Sequence, residues 1–590
     1  MKTLLIKNIS QLVSCDDADT VYQNVDLYAE DGVIRAIGPN LDKTADETID
    51  ASHMLCYPGL INTHHHLYQQ FSRNLPQVQN MELFDWLKTL YEIWKNLDTN
   101  VIRLSSLTGM GELMKHGCTT CFDHHYVFPA GSGDLIGTQF EAASELGIRM
   151  HCSRGSMDLS VKDGGLPPDS VVQTVDEIMK DSARLIETYH DASFGSMRQV
   201  ALAPCSPFSV SAELLRQSAI LARQYHVRLH THLCETKDEE NYMLEREGMR
   251  PLAFMQTLGW VGPDVWYAHG IHFNTEELKL LAETGTGVCH CPISNMKLAS
   301  GIARIPEMLK LGVPVGLGVD GSASNDGSSL MEELRVAFLL HRLNSSREAP
   351  SGYDFLKMAT CGSAKLLGRD DIGSLATGKC CDLFLIDSRR MELTGACYDP
   401  FWRPSASVVL STTPWCTATS PSSRAALPPS TKKRPPATRR LSVTNISTCN
   451  TCKPDGAAAP SGFCVRRRKL DRYEKEIVHV IHFARRLPLG KHGRLCAQNE
   501  RLRAERPGNC SDPDHVEPDF CRGVSAAVPQ GIPENPPEGP LVLHWNRACQ
   551  PAGLFLVRLY RHDHHKPQRH ERSAGNRADF RHASESDSVP

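Results

Sequence analysis

Long apolar runs are missing from this chain of 590 residues: none approaches the roughly 18 uninterrupted apolar positions of a membrane-spanning helix, so no membrane partner is expected. The opening Met1-Lys2-Thr3-Leu4-Leu5-Ile6-Lys7 offers only three consecutive apolar residues. A secretory core needs about 7–15, so a cytoplasmic location is expected. Internal repeats of 20–50 residues, the mark of solenoids, are also lacking. A disulfide framework is missing too: the 21 cysteines are odd in number and follow no recurring spacing, which reads as free cytosolic thiols. Cys449-x-x-Cys452 is half of a zinc ribbon with no second half.

What is present divides unevenly. Hydrophobic residues make up 41% and charged residues 22%, a globular average that conceals a break. Residues 401–590 carry 30 Lys+Arg against 17 Asp+Glu, whereas the first 400 carry 34 against 51. The same last 190 residues hold 21 of the 36 prolines. The composition describes an acidic, enzyme-sized body followed by a basic Pro/Arg-rich segment of another character.

Residues 3–9, 21–29 and 32–37 alternate apolar and polar positions between turn signals such as Asp31-Gly32, which predicts strands. From residue 58 the rhythm changes. Short apolar runs at 60–61, 199–203, 227–229, 265–268, 287–289 and 315–318 alternate with helical patterns at 102–115, 211–225, 275–283 and 329–343. Such alternation over about 250–300 residues predicts an α/β fold built on a (β/α)8 barrel. Residues 365–400 return to the β style, with a strand at 382–387. The expected organisation is a β-sandwich formed by both flanks (1–57 and 365–400, its C-terminal part incomplete) around a barrel at 58–364. Residues 401–590 follow as a tail with no further strands, disordered or the product of a reading-frame shift. A nucleic-acid-binding role for its arginine clusters is the less favoured reading.

Chemistry concentrates at predicted strand ends. Asn62-Thr63-His64-His65-His66 follows an apolar run, and residues i and i+2 of a strand share a face. His64 and His66 can therefore converge on one ion while His65 points away. His230-Thr231-His232-Leu233-Cys234-Glu235 closes a second run, supplying a third imidazole and a carboxylate. Tyr267-Ala268-His269-Gly270 and Gly318-Val319-Asp320-Gly321 close two more. In a barrel the strand C-termini form the active-site rim, so the four ends point to a metal site rather than to scattered core histidines. The donors leave a position open for water, as in catalytic metal sites. Zinc suits imidazole ligands best here, and iron suits them also.

Taken together, Pro-Gly-Leu-Ile-Asn-Thr-His-His-His, His-x-x-Glu, Ala-His-Gly and Gly-x-Asp-Gly resemble the amidohydrolase superfamily, in its single-metal deaminase and chlorohydrolase branch. The resemblance spans residues 1–400 and implies a barrel with a flanking β-sandwich. It implies His64, His66, His232 and Asp320 as ligands of one divalent metal, with Glu235, His269 and Asp320 catalytic. Binuclear relatives use a carboxylated lysine on the fourth strand; Gln199-Val200-Ala201-Leu202-Ala203-Pro204-Cys205 has none.

Asp123-His124-His125-Tyr126-Val127-Phe128-Pro129 and Cys289-His290-Cys291-Pro292-Ile293-Ser294-Asn295 resemble the 8-oxoguanine deaminases of this superfamily. That implies hydrolysis of a free purine base, 8-oxoguanine and water giving uric acid and ammonia. Relatives acting on nucleosides carry an acidic ribose-binding residue where this chain has Phe84, with Asp85 its one available substitute. Gln69, Trp86 and Cys205 are candidate substrate contacts. Cys289, His290 and Cys291 are not expected to be ligands. Guanine or a hydroxytriazine is the alternative substrate, and a catalytically silent scaffold the alternative class. The expected partner is a small purine, with no nucleic acid; a homo-oligomer is compatible.

Overall fold

The computed structural model describes residues 2–390, Leu393, Thr394, Ala396 and the backbone of Thr413–Trp415. The alternating N-terminal runs form one sheet. Thr3–Val13 pairs antiparallel with Val21–Glu30, which pairs antiparallel with Val33–Gly38. On its other side Thr3–Val13 lies parallel to Glu47–Asp50 and Met54–Pro58. The strict alternation slips once: a bulge between Ile6 and Ile9, where Asn8 takes φ 59, keeps both isoleucines in the same apolar layer.

The chain returns to this sheet after the barrel. Leu383–Asp387 pairs antiparallel with Met54–Pro58, and Phe384 stacks on Tyr57 with ring centroids 5.3 Å apart. The expectation that no strand follows residue 400 is corrected here. Thr413–Trp415 pairs antiparallel with Leu383–Leu385 and forms the seventh strand, at the edge of the sheet. Its Pro414 has no N–H to give a ladder, which suits an edge and disguises the segment as a loop in sequence. The remainder of the 401–590 tail, with Cys449 and Cys452, lies outside the described residues.

Eight parallel strands form the barrel: Leu60–Asn62, Cys118–Asp123, Arg149–Ser156, Arg198–Pro204, Leu229–Leu233, Val265–His269, Gly287–His290 and Val315–Leu317, each beside the next in chain order. The second and third strands, rich in Cys, Thr, Ser and Arg, gave no apolar run to find. The expected helices appear as Thr99–Lys115, Ala212–Gln224, Thr275–Thr284 and Leu330–Ser345. Side chains of Asp98, Ser211, Asn274 and Ser329 accept the first free N–H groups, which explains where each begins. Among the described residues no helix is long and apolar enough to cross a membrane.

Two features place the site. Closure of the barrel uses Thr63, whose N–H and hydroxyl both donate to the carbonyl of Leu317, at 3.1 and 3.0 Å. At the opposite end Arg149 forks onto Asp382, both buried, with Nε 2.5 Å from Oδ2 and Nη2 3.1 Å from Oδ1. That pair fixes the start of the third barrel strand to the return strand of the sheet.

Candidate metal centre

The eighth strand runs on past Leu317 through Gly318. A Cβ there would stand 2.8 Å from His64 Cβ and 2.7 Å from Cys289 Sγ, so only glycine lets the two segments meet. Beyond it Asp320–Gly321 pairs with His65–His66. This second, short pairing carries His64 and His66 onto the barrel axis although the first strand itself ends at Asn62. His65 turns outward, with Nε2 3.0 Å from Ser328 Oγ.

The expected ligands come together. Asp320 Oδ1 lies 3.3 Å from Nε2 of both His64 and His66, and His66 Nε2 lies 3.1 Å from His232 Nε2. All four side chains are buried. His269 and Glu235 flank them, with His269 Nε2 3.5 Å from Glu235 Oε2 and 4.0 Å from Asp320 Oδ2. His269 (φ 71) and Asp320 (φ 62) both adopt the left-handed region, where a non-glycine residue is strained. Such strain gathers where function over-determines a backbone.

The other face of each ring settles which nitrogen carries hydrogen. His66 Nδ1 donates to the carbonyl of His124 at 2.7 Å, and His232 Nδ1 to that of Cys205 at 2.6 Å. A carbonyl can only accept, so each Nδ1 carries a hydrogen, and in a neutral ring held this way Nε2 keeps its lone pair. His64 Nε2 likewise has no hydrogen-bond partner. Burial holds His64 down to about 3 and His232 well below the usual imidazole range, so neutral rings are the favoured form. Bare lone pairs at 3.1 Å repel one another; a shared cation removes that conflict. The donor set therefore fits a divalent metal. Among the described residues, the His/Cys/Asp/Glu groups close enough to share a cation are two, and both contain His64.

The two carboxyl groups are driven apart. Burial, reinforced by the charge of Asp320, pushes Glu235 well above the ordinary carboxyl range. Burial acts on Asp320 in the same direction, but hydrogen-bearing or positive Nε2 atoms of His64 and His66 against its oxygen outweigh it and hold it well below; with those nitrogens bare, a shared cation would supply the same pull. One acid that keeps its proton beside one that has lost it is the pairing acid–base chemistry requires.

Gln69, Trp86 and Cys205 line the narrow cavity above this cluster, with Tyr126, Phe208 and Leu298 among its apolar walls. Gln69 Oε1 accepts from the N–H of Ala323 at 3.3 Å. Burial pushes the Cys205 thiol up to about 12, so it stays neutral. Trp86 Nε1 is buried without a hydrogen-bond partner. A larger groove, about 820 Å³, opens beside Arg369 near the strand starts; neither ligand cluster lies there.

Three contributors stand in motifs visible in the sequence, but their roles are not legible there. His124, at the end of the second strand, stacks on His232 with centroids 4.6 Å apart and stands within the ligand cluster. His230 contacts His64, and Asn295 Oδ1 lies 2.9 Å from His269 Nδ1. Asn295 ends a motif visible in the sequence, but nothing in a single sequence assigns it to His269. Cys289 and Cys291 face each other at 3.8 Å, and His290 pairs with His341 at 3.2 Å, all outside the ligand set.

Residues 55–415 match the model of the Amidohydrolase family. The chain is 48% identical over 377 residues to 8-oxoguanine deaminase of Pseudomonas aeruginosa, covering 63% of this chain and 84% of that relative. It is 41% identical over 416 residues to hydroxydechloroatrazine ethylaminohydrolase of Pseudomonas sp. strain ADP, covering 68% and 86%. Its fold matches the crystal structure of atrazine chlorohydrolase from Arthrobacter aurescens TC1 complexed with zinc, at TM-score 0.66 and 33% identity over 68% of this chain and 91% of that one. The chain belongs to the amidohydrolase family, as a hydrolase of C–N bonds.

Proposed function

We propose that this chain deaminates a free purine base, converting 8-oxoguanine and water to uric acid and ammonia. The observation that carries the reading is the split between Glu235 and Asp320 across one buried imidazole cluster, at the floor of a cavity with apolar side walls. His64, His66, His232 and Asp320 would hold one divalent metal, zinc first and iron second, as the zinc-bound relative suggests. When bound, such a cation acidifies water and so supplies a nucleophile at neutral pH.

The remaining work falls to the chain's own groups. Asp320, ionised, accepts the proton of the attacking water. His269 orients that water through Nε2. Glu235, protonated, donates to the ring nitrogen beside the amino-bearing carbon, and a proton delivered through the same carboxyl then leaves with ammonia. The new C–O bond replaces the C–N bond, and a carbonyl remains.

A base without ribose is supported by the residue packed behind Phe208 of the cavity wall. Phe84 packs on Phe208, centroids 4.9 Å apart, where nucleoside-acting relatives carry an acid. Asp85 does not replace that acid, because its side chain is 78% exposed and faces Lys88. A hydroxytriazine is the second reading, supported by the triazine-related relatives. Every cysteine among the described residues is unbridged, which suits a reducing cytoplasm.

The test is ammonia release from 8-oxoguanine, guanine, their ribosides and a hydroxytriazine. Turnover of 8-oxoguanine above the others supports the proposal. An inert 8-oxoguanine beside a hydrolysed triazine or guanine overturns it.

A further inference from the structure

His230 sits on the fifth barrel strand two residues before the ligand His232, and nothing in the proposed chemistry uses it. Its Nδ1 lies 3.0 Å from the carbonyl of Trp266, which can only accept, so Nδ1 carries the ring hydrogen. Its Nε2 is thereby an acceptor, and it stands 2.9 Å from His64 Nδ1. The hydrogen of His64 must then lie on Nδ1, leaving Nε2 bare toward Asp320. Unlike His66 and His232, His64 has no carbonyl anchoring its outer nitrogen; a second imidazole does that work.

The surroundings hold this relay in one state. Trp266 stacks on the His230 ring at 4.5 Å, and Phe122 meets it edge-on at 5.0 Å. The ring is fully buried.

We propose that His230 is a positioning residue that fixes the tautomer of His64, so that His64 presents a lone pair to the metal. This rests on the metal-site reading of the proposed function. If the acceptor is removed, the buried Nδ1–H of His64 loses its partner. The ring relieves that by moving its hydrogen to Nε2, which can no longer ligate.

The test is zinc affinity of the folded full-length chain, measured by chelator competition after stripping and reloading, with far-ultraviolet circular dichroism as the control for folding. His230→Leu removes the acceptor; His230→Gln places an amide oxygen near the lost Nε2. The expected result is an affinity about 10–100-fold weaker for His230→Leu, the range seen when such supporting partners are lost, and near wild type for His230→Gln. His230→Met supplies the same contrast if the leucine variant does not fold. Equal affinity for the wild-type, Leu and Gln forms overturns the inference, and so does equal weakening of Leu and Gln, which would assign the effect to packing against Trp266. His64→Ala separates the two claims. If it loses zinc while His230→Leu keeps it, only the positioning role fails; if it keeps zinc at wild-type affinity, the metal-site reading fails with it.

Discussion

Asp320 holds His64 twice: its N–H donates to the carbonyl of His64 at 3.0 Å, and its carboxylate Oδ1 lies 3.3 Å from His64 Nε2. The first contact is main chain and the second side chain, so the geometry that closes the barrel also sets the distance between two of the proposed ligands. Replacing Asp320 by Ala should leave the first contact and remove the second. The variant is expected to fold, to bind zinc at least about 100-fold more weakly, and to lose turnover, since an inner ligand should matter more than an outer-shell partner. Metal analysis after dialysis checks this.

Glu235 is a proton donor in this account and not a ligand. Glu235→Gln should therefore retain metal and lower kcat by about 10²–10⁴-fold, the usual worth of a positioned acid. Unchanged metal content with unchanged kcat would remove Glu235 from the reaction.

Gly318 is predicted to be irreplaceable for a steric reason. In Gly318→Ala the added Cβ would approach His64 Cβ to 2.8 Å and Cys289 Sγ to 2.7 Å. Forcing extra volume into such a contact costs about 1–3 kcal/mol. Because the strain falls on a proposed ligand, weakened zinc binding should accompany the lower melting temperature, and both are read by thermal unfolding with and without zinc.

Acid stability has a defined contributor away from the site. Burial would raise the Asp371 carboxyl, but Arg369, forked onto it at 2.7 Å through Nε and Nη2, and the N–H of Gly195 hold it at about 2. The folded value lies below the unfolded one near 3.8. The stabilisation is therefore complete above about pH 4 and is lost as pH falls toward 2, amounting to about 2 kcal/mol. Asp371→Asn should melt lower than the parent at pH 7, with the gap narrowing below pH 4. A gap independent of pH would contradict this role.

The residues that sequence revealed and those it hid differ in kind. His64, His66, His232, Glu235, His269 and Asp320 are rare residue types at the ends of apolar runs, and the barrel's parallel order brings such ends to one rim. Helix starts were legible because Ser211, Asn274 and Ser329 cap them. His230 was read as part of its motif but not as a relay, because its contact with His64 spans 166 residues and exists only once the strands are registered. His124 directly follows a strand whose Thr-Thr-Cys composition gives no apolar run. Thr413–Trp415 was hidden by its proline, and the place of Asp85 by its neighbour, since only the helix orientation shows Asp85 turned to solvent and Phe84 packed on Phe208.

Anomalous diffraction at the zinc edge, from crystals of the full chain grown with zinc and active in ammonia release, tests the central claim most directly. One peak is predicted, bonded to Nε2 of His64, His66 and His232 and to the Asp320 carboxylate. A peak elsewhere, or active crystals with no metal among these residues, would contradict the account.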